Sequence, residues 1–148
     1  MRAYDECMTE STKNFTAEER AAMKARAKEA KANATKEKAA ANQLEKIAEF
    51  TGIDRELAER ISEVVAQHAP DLDPKTFYGA PGWARDGKVV FFFQPAGLYK
   101  ARYGTFGFQD TAALDDGAIW ATSFAIVEWT AAVEKQVTAL VKKASAVA

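Results

Sequence analysis

The sequence contains one cysteine and one histidine, and this scarcity removes whole classes of site. With Cys7 alone no internal disulfide can form, which fits a reducing cytoplasm. A two-histidine–one-carboxylate iron centre and a His/Cys zinc site are both excluded within one chain. A Ser-His-Asp triad would have to recruit His68, yet no Gly-x-Ser-x-Gly elbow presents a serine. His68 also follows Val64 by one turn on an apolar stripe, the place of a packed helix-end histidine. Cys7 lies in a polar stretch without a base or dipole to lower its pKa, so no reactive thiolate is expected there. Phosphate loops are missing, since neither Gly-x-x-x-x-Gly-Lys nor Gly-x-Gly-x-x-Gly occurs. The longest purely apolar run, Val89 to Phe93, falls far short of the roughly 20 residues a membrane span needs. Residues 1–15 carry Asp5, Glu6, Glu10 and Lys13 and no apolar core. No signal peptide is therefore expected, and a cytoplasmic location is.

What is present is an ordinary globular composition. Hydrophobic residues make up 48% and charged residues 28%, values typical of a water-soluble globule. A domain of this length buries roughly 70% of its unfolded surface and needs neither disulfide nor metal to fold. The net charge of −1 makes neither nucleic acid nor an anionic membrane a general partner. Charge is distributed unevenly, however: residues 16–46 hold eight Lys/Arg against five Asp/Glu.

Residues 1–14 are polar and aperiodic and read as a disordered tail, leaving residues 15–148 as a single domain. Thr16-Ala-Glu-Glu19 reads as a capping box opening a helical segment, 15–50, rich in Ala, Lys and Glu. Two helices with a break near Asn33 to Asn42 are expected, one continuous helix being the alternative. The second part offers Leu44, Ile47, Ala48 and Phe50 as a face to bury. Thr51-Gly52 ends the segment. Asp54 is expected to cap the next helix, which runs to about Ala69 with Leu57, Ile61, Val64 and Val65 on one stripe.

Strands are then predicted over 75–79, 82–85, 88–94, 98–108 and 119–127, with Asp86-Gly87 as a hairpin turn and Asp115-Asp-Gly117 as another. Gly79-Ala-Pro-Gly82 reads as a corner. Thr130 caps a last helix with Val133, Val137, Leu140, Val141 and Ala144 on one face. The order gives an α+β fold: an antiparallel sheet of about five strands covered on one face by the N-terminal and C-terminal helices.

Four groups of residues bear on function. Glu56, Glu59 and Glu63 share the solvent side of the helix beginning near Asp54, and Asp71 and Asp73 follow it; such oxygen ligands suit weakly held hard cations. Arg55 and Arg60 are interleaved and could pair with the same glutamates, making a solvated charged face the competing reading. Tyr78, Pro81, Trp83 and Tyr103, joined by Trp120, could line an aromatic hollow for a small ligand, with core packing as the alternative. Lys24, Arg26, Lys28, Lys31, Lys36 and Lys38 make the first helix a surface for an acidic protein partner or nucleic acid, or simply a solvated one. "RYGTFGF", residues 102–108, departs from the RNA-recognition strand at Tyr103, where that motif wants glycine.

"FYGAPGWARDGKVVFFF" resembles the YdhG-like family of small bacterial domains. Tyr78, Gly79 and Pro81 match its Tyr-Gly-x-Pro element, Gly87-Lys88 its turn, and "VVFFF" its apolar strand. "LDDGAIWATSFAI" before the Thr130-capped helix is similar to its closing portion, so the likeness spans residues 54–146. Arg102 stands where many members carry a histidine. The resemblance implies a frataxin-like architecture and, from some members, an iron chaperone that hands iron to iron–sulfur or haem assembly. On that basis the expectation is a non-enzymatic, weak iron-binding chaperone using Glu56, Glu59, Glu63, Asp71 and Asp73, its partners being iron-accepting proteins. A small-molecule-binding module using the aromatic hollow, and an adaptor acting through the basic first helix, are the alternatives.

Overall fold

The computed structural model describes residues 16–146. The expected tail, residues 1–14 with Cys7, lies outside the described residues. The chain divides into two compact units, Met1–Thr35 and Lys36–Ala148.

The helix that opens in the first unit, α1 (Ala17–Glu49), starts as its sequence dictates: Thr16 Oγ1 accepts the Glu19 N–H at 3.0 Å. The expected break between Asn33 and Asn42 does not occur, because Ala, Lys and Glu favour helix and no Gly or Pro interrupts them. Every described side chain from Thr16 to Lys38 is exposed.

The second unit contains the end of α1, then α2 (Gly52–His68), five strands and α3 (Ala131–Ala144). The strands are β1 (Asp73–Phe77), β2 (Ala80–Arg85), β3 (Lys88–Gln94), β4 (Gly104–Phe108) and β5 (Ser123–Ile126). They form one antiparallel meander in sequence order, an open sheet with β1 and β5 at its edges. Alternation sets its two faces. Trp83, Phe91, Phe93, Phe106 and Phe108 point into a core shared with Leu57, Ala58, Ile61, Val64 and Val65 of α2 and Val137, Val141 and Ala144 of α3. Ile47 of α1 joins the same core, so the helices lie on one face. Each fully buried ring or branched side chain contributes about 1.5–3 kcal/mol. Lys75, Phe77, Gly82, Phe92, Gly107 and Ser123 alternate onto the opposite face.

Several local expectations shift, each for a visible reason. The first turn falls at Tyr78 and Gly79, both at positive φ (50° and 78°), so Ala80, Pro81 and Gly82 belong to β2 rather than to a corner. Asp86 and Gly87 repeat this geometry at 52° and 80°. Thr51 occupies the N-cap of α2 without a side-chain bond. Asp54 instead accepts the Gly97 N–H at 3.0 Å. That bond helps hold Gly97–Tyr99 in a 3-10 turn, and Lys100 follows at φ 52°. The expected strand over 98–108 is thereby cut to β4. Leu44 is 64% exposed, so the buried face of α1 is carried by Gln43 and Ile47 instead. Thr130 caps α3 as predicted, its Oγ1 accepting the Val133 N–H at 3.1 Å.

Candidate ligand-binding site

Residues 109–122 connect β4 to β5, and backbone bonds fix the path of residues 109–114 and the return at Thr122. Gln109 N–H donates to Val90 O at 2.9 Å, and the Thr111 hydroxyl donates to Val89 O at 2.9 Å, tying the segment to β3. Ala113 N–H donates to Ala144 O at 3.1 Å, tying it to the end of α3. Phe108 N–H donates to Thr122 O at 2.8 Å and closes the segment on itself. The enclosed depression measures about 340 Å³. Its floor is apolar, formed by the buried Phe108, Ala112 and Leu114. Trp120, 40% exposed, lines it together with Gln109, Asp110, Asp115 and Thr122.

The charge of this depression separates it from others on the surface. Asp110 and Asp115 line it, and no Lys, Arg or His does. A groove of about 520 Å³ between α2 and α3 mixes Glu134 with His68, Lys135 and Lys142. The exposed side of α2 sets Glu56, Glu59 and Glu63 around a shallow hollow together with Arg55 and Arg60. Only in the β4–β5 depression, of these three, is acidic charge left uncompensated by a lining base. An apolar floor, an aromatic side chain and a few polar groups form the usual composition of a small-ligand site.

The five residues read from sequence as an aromatic hollow do not surround one space. Trp83 is 1% exposed and its ring packs against Phe91 at 5.6 Å, as a core residue. Pro81 is fully buried within β2, opposite Thr76. Tyr78, 81% exposed, stands at the β1–β2 turn. Tyr103 precedes β4 and carries the Arg102 guanidinium 5.3 Å from its ring centre. Trp83 borders a separate hollow with Val65, Ala69 and Leu72, and Trp120 lines the depression at the far end of β4.

The carboxylates considered for metal divide into two groups: Glu56, Glu59 and Glu63 line the α2 hollow, while Asp71 and Asp73 are paired elsewhere. Glu59 accepts from Arg55 Nε at 2.7 Å. Asp71 accepts from Arg85 at 2.6 Å, and Asp73 lies 3.5 Å from Lys36 Nζ. The Arg85 hydrogen bond is the largest influence on Asp71 and lowers its pKa below the ordinary 3.8. Among the described residues, no group of three or more His, Cys, Asp or Glu side chains is placed to hold a metal ion. Among them, too, no helix is long and apolar enough to cross a membrane.

Asp110 escaped the sequence reading, and Asp115 was read only as turn chemistry. The available signal was Ala112 and Leu114, apolar residues between Asp110 and Asp115 that both turn out to be buried.

Fold and site together define a class: an α+β domain whose open antiparallel sheet carries helices on one face and a small acidic, aromatic depression in its β4–β5 connection. In comparisons with protein-family models, curated proteins and solved structures, none matches the chain.

Proposed function

We propose that this protein is a small-molecule-binding module, and that its site is the Trp120 depression rather than the region around Tyr78 and Trp83. The observation that carries this reading is the lining itself: a buried apolar floor of Phe108, Ala112 and Leu114 beneath an accessible Trp120 and polar side chains. Burial of a ligand's apolar part against that floor supplies affinity, and the surrounding polar groups supply orientation. Residues 109–113 are held to β3 and to the end of α3, so the apolar side of the site is ordered before a ligand arrives. A thermal-shift screen of small metabolites tests the reading. It predicts a stabilising hit that is lost in Trp120→Ala while the unliganded melting temperature stays near the parent value. Hits that are all insensitive to Trp120→Ala would refute it.

A second reading follows the YdhG-like resemblance, whose frataxin-like arrangement agrees with the helix–sheet–helix order of the chain. In it the protein is a non-enzymatic, weak iron-binding chaperone; Glu56, Glu59 and Glu63 line the α2 hollow, but among the described residues they are not gathered closely enough to hold an ion as they stand, so binding would require them to converge. Oxygen donors are appropriate to that cation, while the ion pair of Glu59 with Arg55 opposes its entry. Anaerobic ferrous titration followed by NMR decides the matter. Paramagnetic broadening confined to Glu56, Glu59 and Glu63 and their neighbours supports iron handling, and diffuse broadening at high excess removes it.

A further inference from the structure

We infer that the Trp120 depression takes a small alkylammonium cation, an inference that rests on the binding reading above and assigns its ligand class. Three features select that chemistry together. Asp110 and Asp115 bring two carboxylates to a site that, among the described residues, is lined by no Lys, Arg or His, so an entering cation meets no competitor from them. Trp120 offers an indole, the aromatic surface that attracts cations most strongly. Phe108, Ala112 and Leu114 form a floor that gains by burying methyl or methylene groups.

Other ligand classes satisfy only part of this lining. An anion would be repelled by both carboxylates and by the negative face of the indole. A neutral apolar molecule would use the floor and leave the carboxylates idle. A bare divalent ion would bond to the carboxylates, but the indole and the aliphatic floor offer it no oxygen to replace lost water. An alkylammonium carries its positive charge inside an apolar shell and uses all three features.

The test follows the Trp120 indole N–H resonance of the full chain during titration with choline and with its uncharged isostere, 3,3-dimethylbutan-1-ol. Saturable binding of choline about three- to fivefold tighter than the isostere is expected, the scale of one solvent-exposed cation–π contact. Asp110→Asn with Asp115→Asn should remove most of that preference while leaving the isostere's weak binding unchanged. Among the described residues neither aspartate side chain has a hydrogen-bond or ion-pair partner, and the melting temperature of the double variant checks that the fold persists. Equal affinity for choline and isostere, or tighter binding of benzoate, would overturn the cation assignment and leave the binding module standing. Silence towards all three probes in a folded chain would likewise overturn the ammonium assignment, the binding module then standing or falling on the metabolite screen above. A parallel arm with N-acetyl-trimethyllysine methylamide distinguishes sources. Tighter binding of this probe points to a lysine side chain of another protein and tighter binding of choline to a free metabolite, either result supporting the ammonium class.

Discussion

The Phe92 ring lies directly over Gly107: a Cβ built at residue 107 would come within 2.4 Å of Phe92 Cζ. The two residues face each other across β3 and β4 on the side of the sheet away from the helices. A second glycine, Gly104, lies diagonal to Phe93, whose direct partner is Phe106, and a Cβ there would come within 2.8 Å of the Phe93 ring. The neighbours differ in freedom, because Phe92 is half-buried and Phe93 is fully buried. Gly104→Ala should therefore cost about 1–3 kcal/mol, the usual overpacking range, and Gly107→Ala less, since Phe92 can swing aside. Denaturant melts of the two variants, with Phe92→Ala added to relieve Gly107→Ala, check the order.

Gln43 is 1% exposed, and its Nε2 donates to Lys75 O at 3.0 Å and Gly82 O at 2.8 Å, joining α1 to the β1–β2 pair. Gln43→Ala removes both bonds and opens space against the sheet. A loss of about 1–3 kcal/mol is expected, and amide exchange should accelerate first in β1.

Asp71 contributes pH-dependent stability of predictable sign. Arg85 holds its pKa below the ordinary 3.8 in the folded chain, so the contribution is present above that value and is lost as pH falls through the lowered one. The pair is exposed on the Asp71 side, which limits its strength to the modest range of surface ion pairs. Asp71→Asn should lower the melting temperature slightly at pH 6, and the difference should vanish once the wild-type carboxylate is protonated. A difference that grows on acidification would contradict the assignment.

Trp83 and Trp120 separate packing from binding. Trp83 is 1% exposed in the aromatic core, and Trp83→Ala should cost about 3–5 kcal/mol. Trp120 borders a surface depression, and Trp120→Ala should shift stability by no more than about 0.5 kcal/mol. Equilibrium unfolding of both variants provides the comparison.

The sequence carried most of the architecture because local chemistry and tertiary packing agree over long stretches. Val64, Val65, Val137 and Val141 are buried where helical periodicity puts them, and β3 occupies its expected bounds. Local reasoning failed where a distant partner decided the backbone. Gly97 is bent by Asp54, and Leu44 yields its buried place to Gln43, whose partners lie on strands far along the chain. The site was less legible for the same reason. Trp83 and Trp120 look alike in sequence, yet the first alternates into the core and the second falls on the connection after β4. Asp110 joins Asp115 only through the fold of residues 109–122.

The central claim is that the Trp120 depression binds a small ligand, and the indole signals test it most directly. The chain has three tryptophans: Trp83 is buried in the core, Trp129 is half-buried against it, and Trp120 lines the depression. Spectra of indole-labelled protein recorded against a small-molecule library should contain ligands that move the Trp120 resonance saturably while Trp83 and Trp129 stay still. A library in which no compound moves Trp120, or in which all three resonances drift together, would contradict the account.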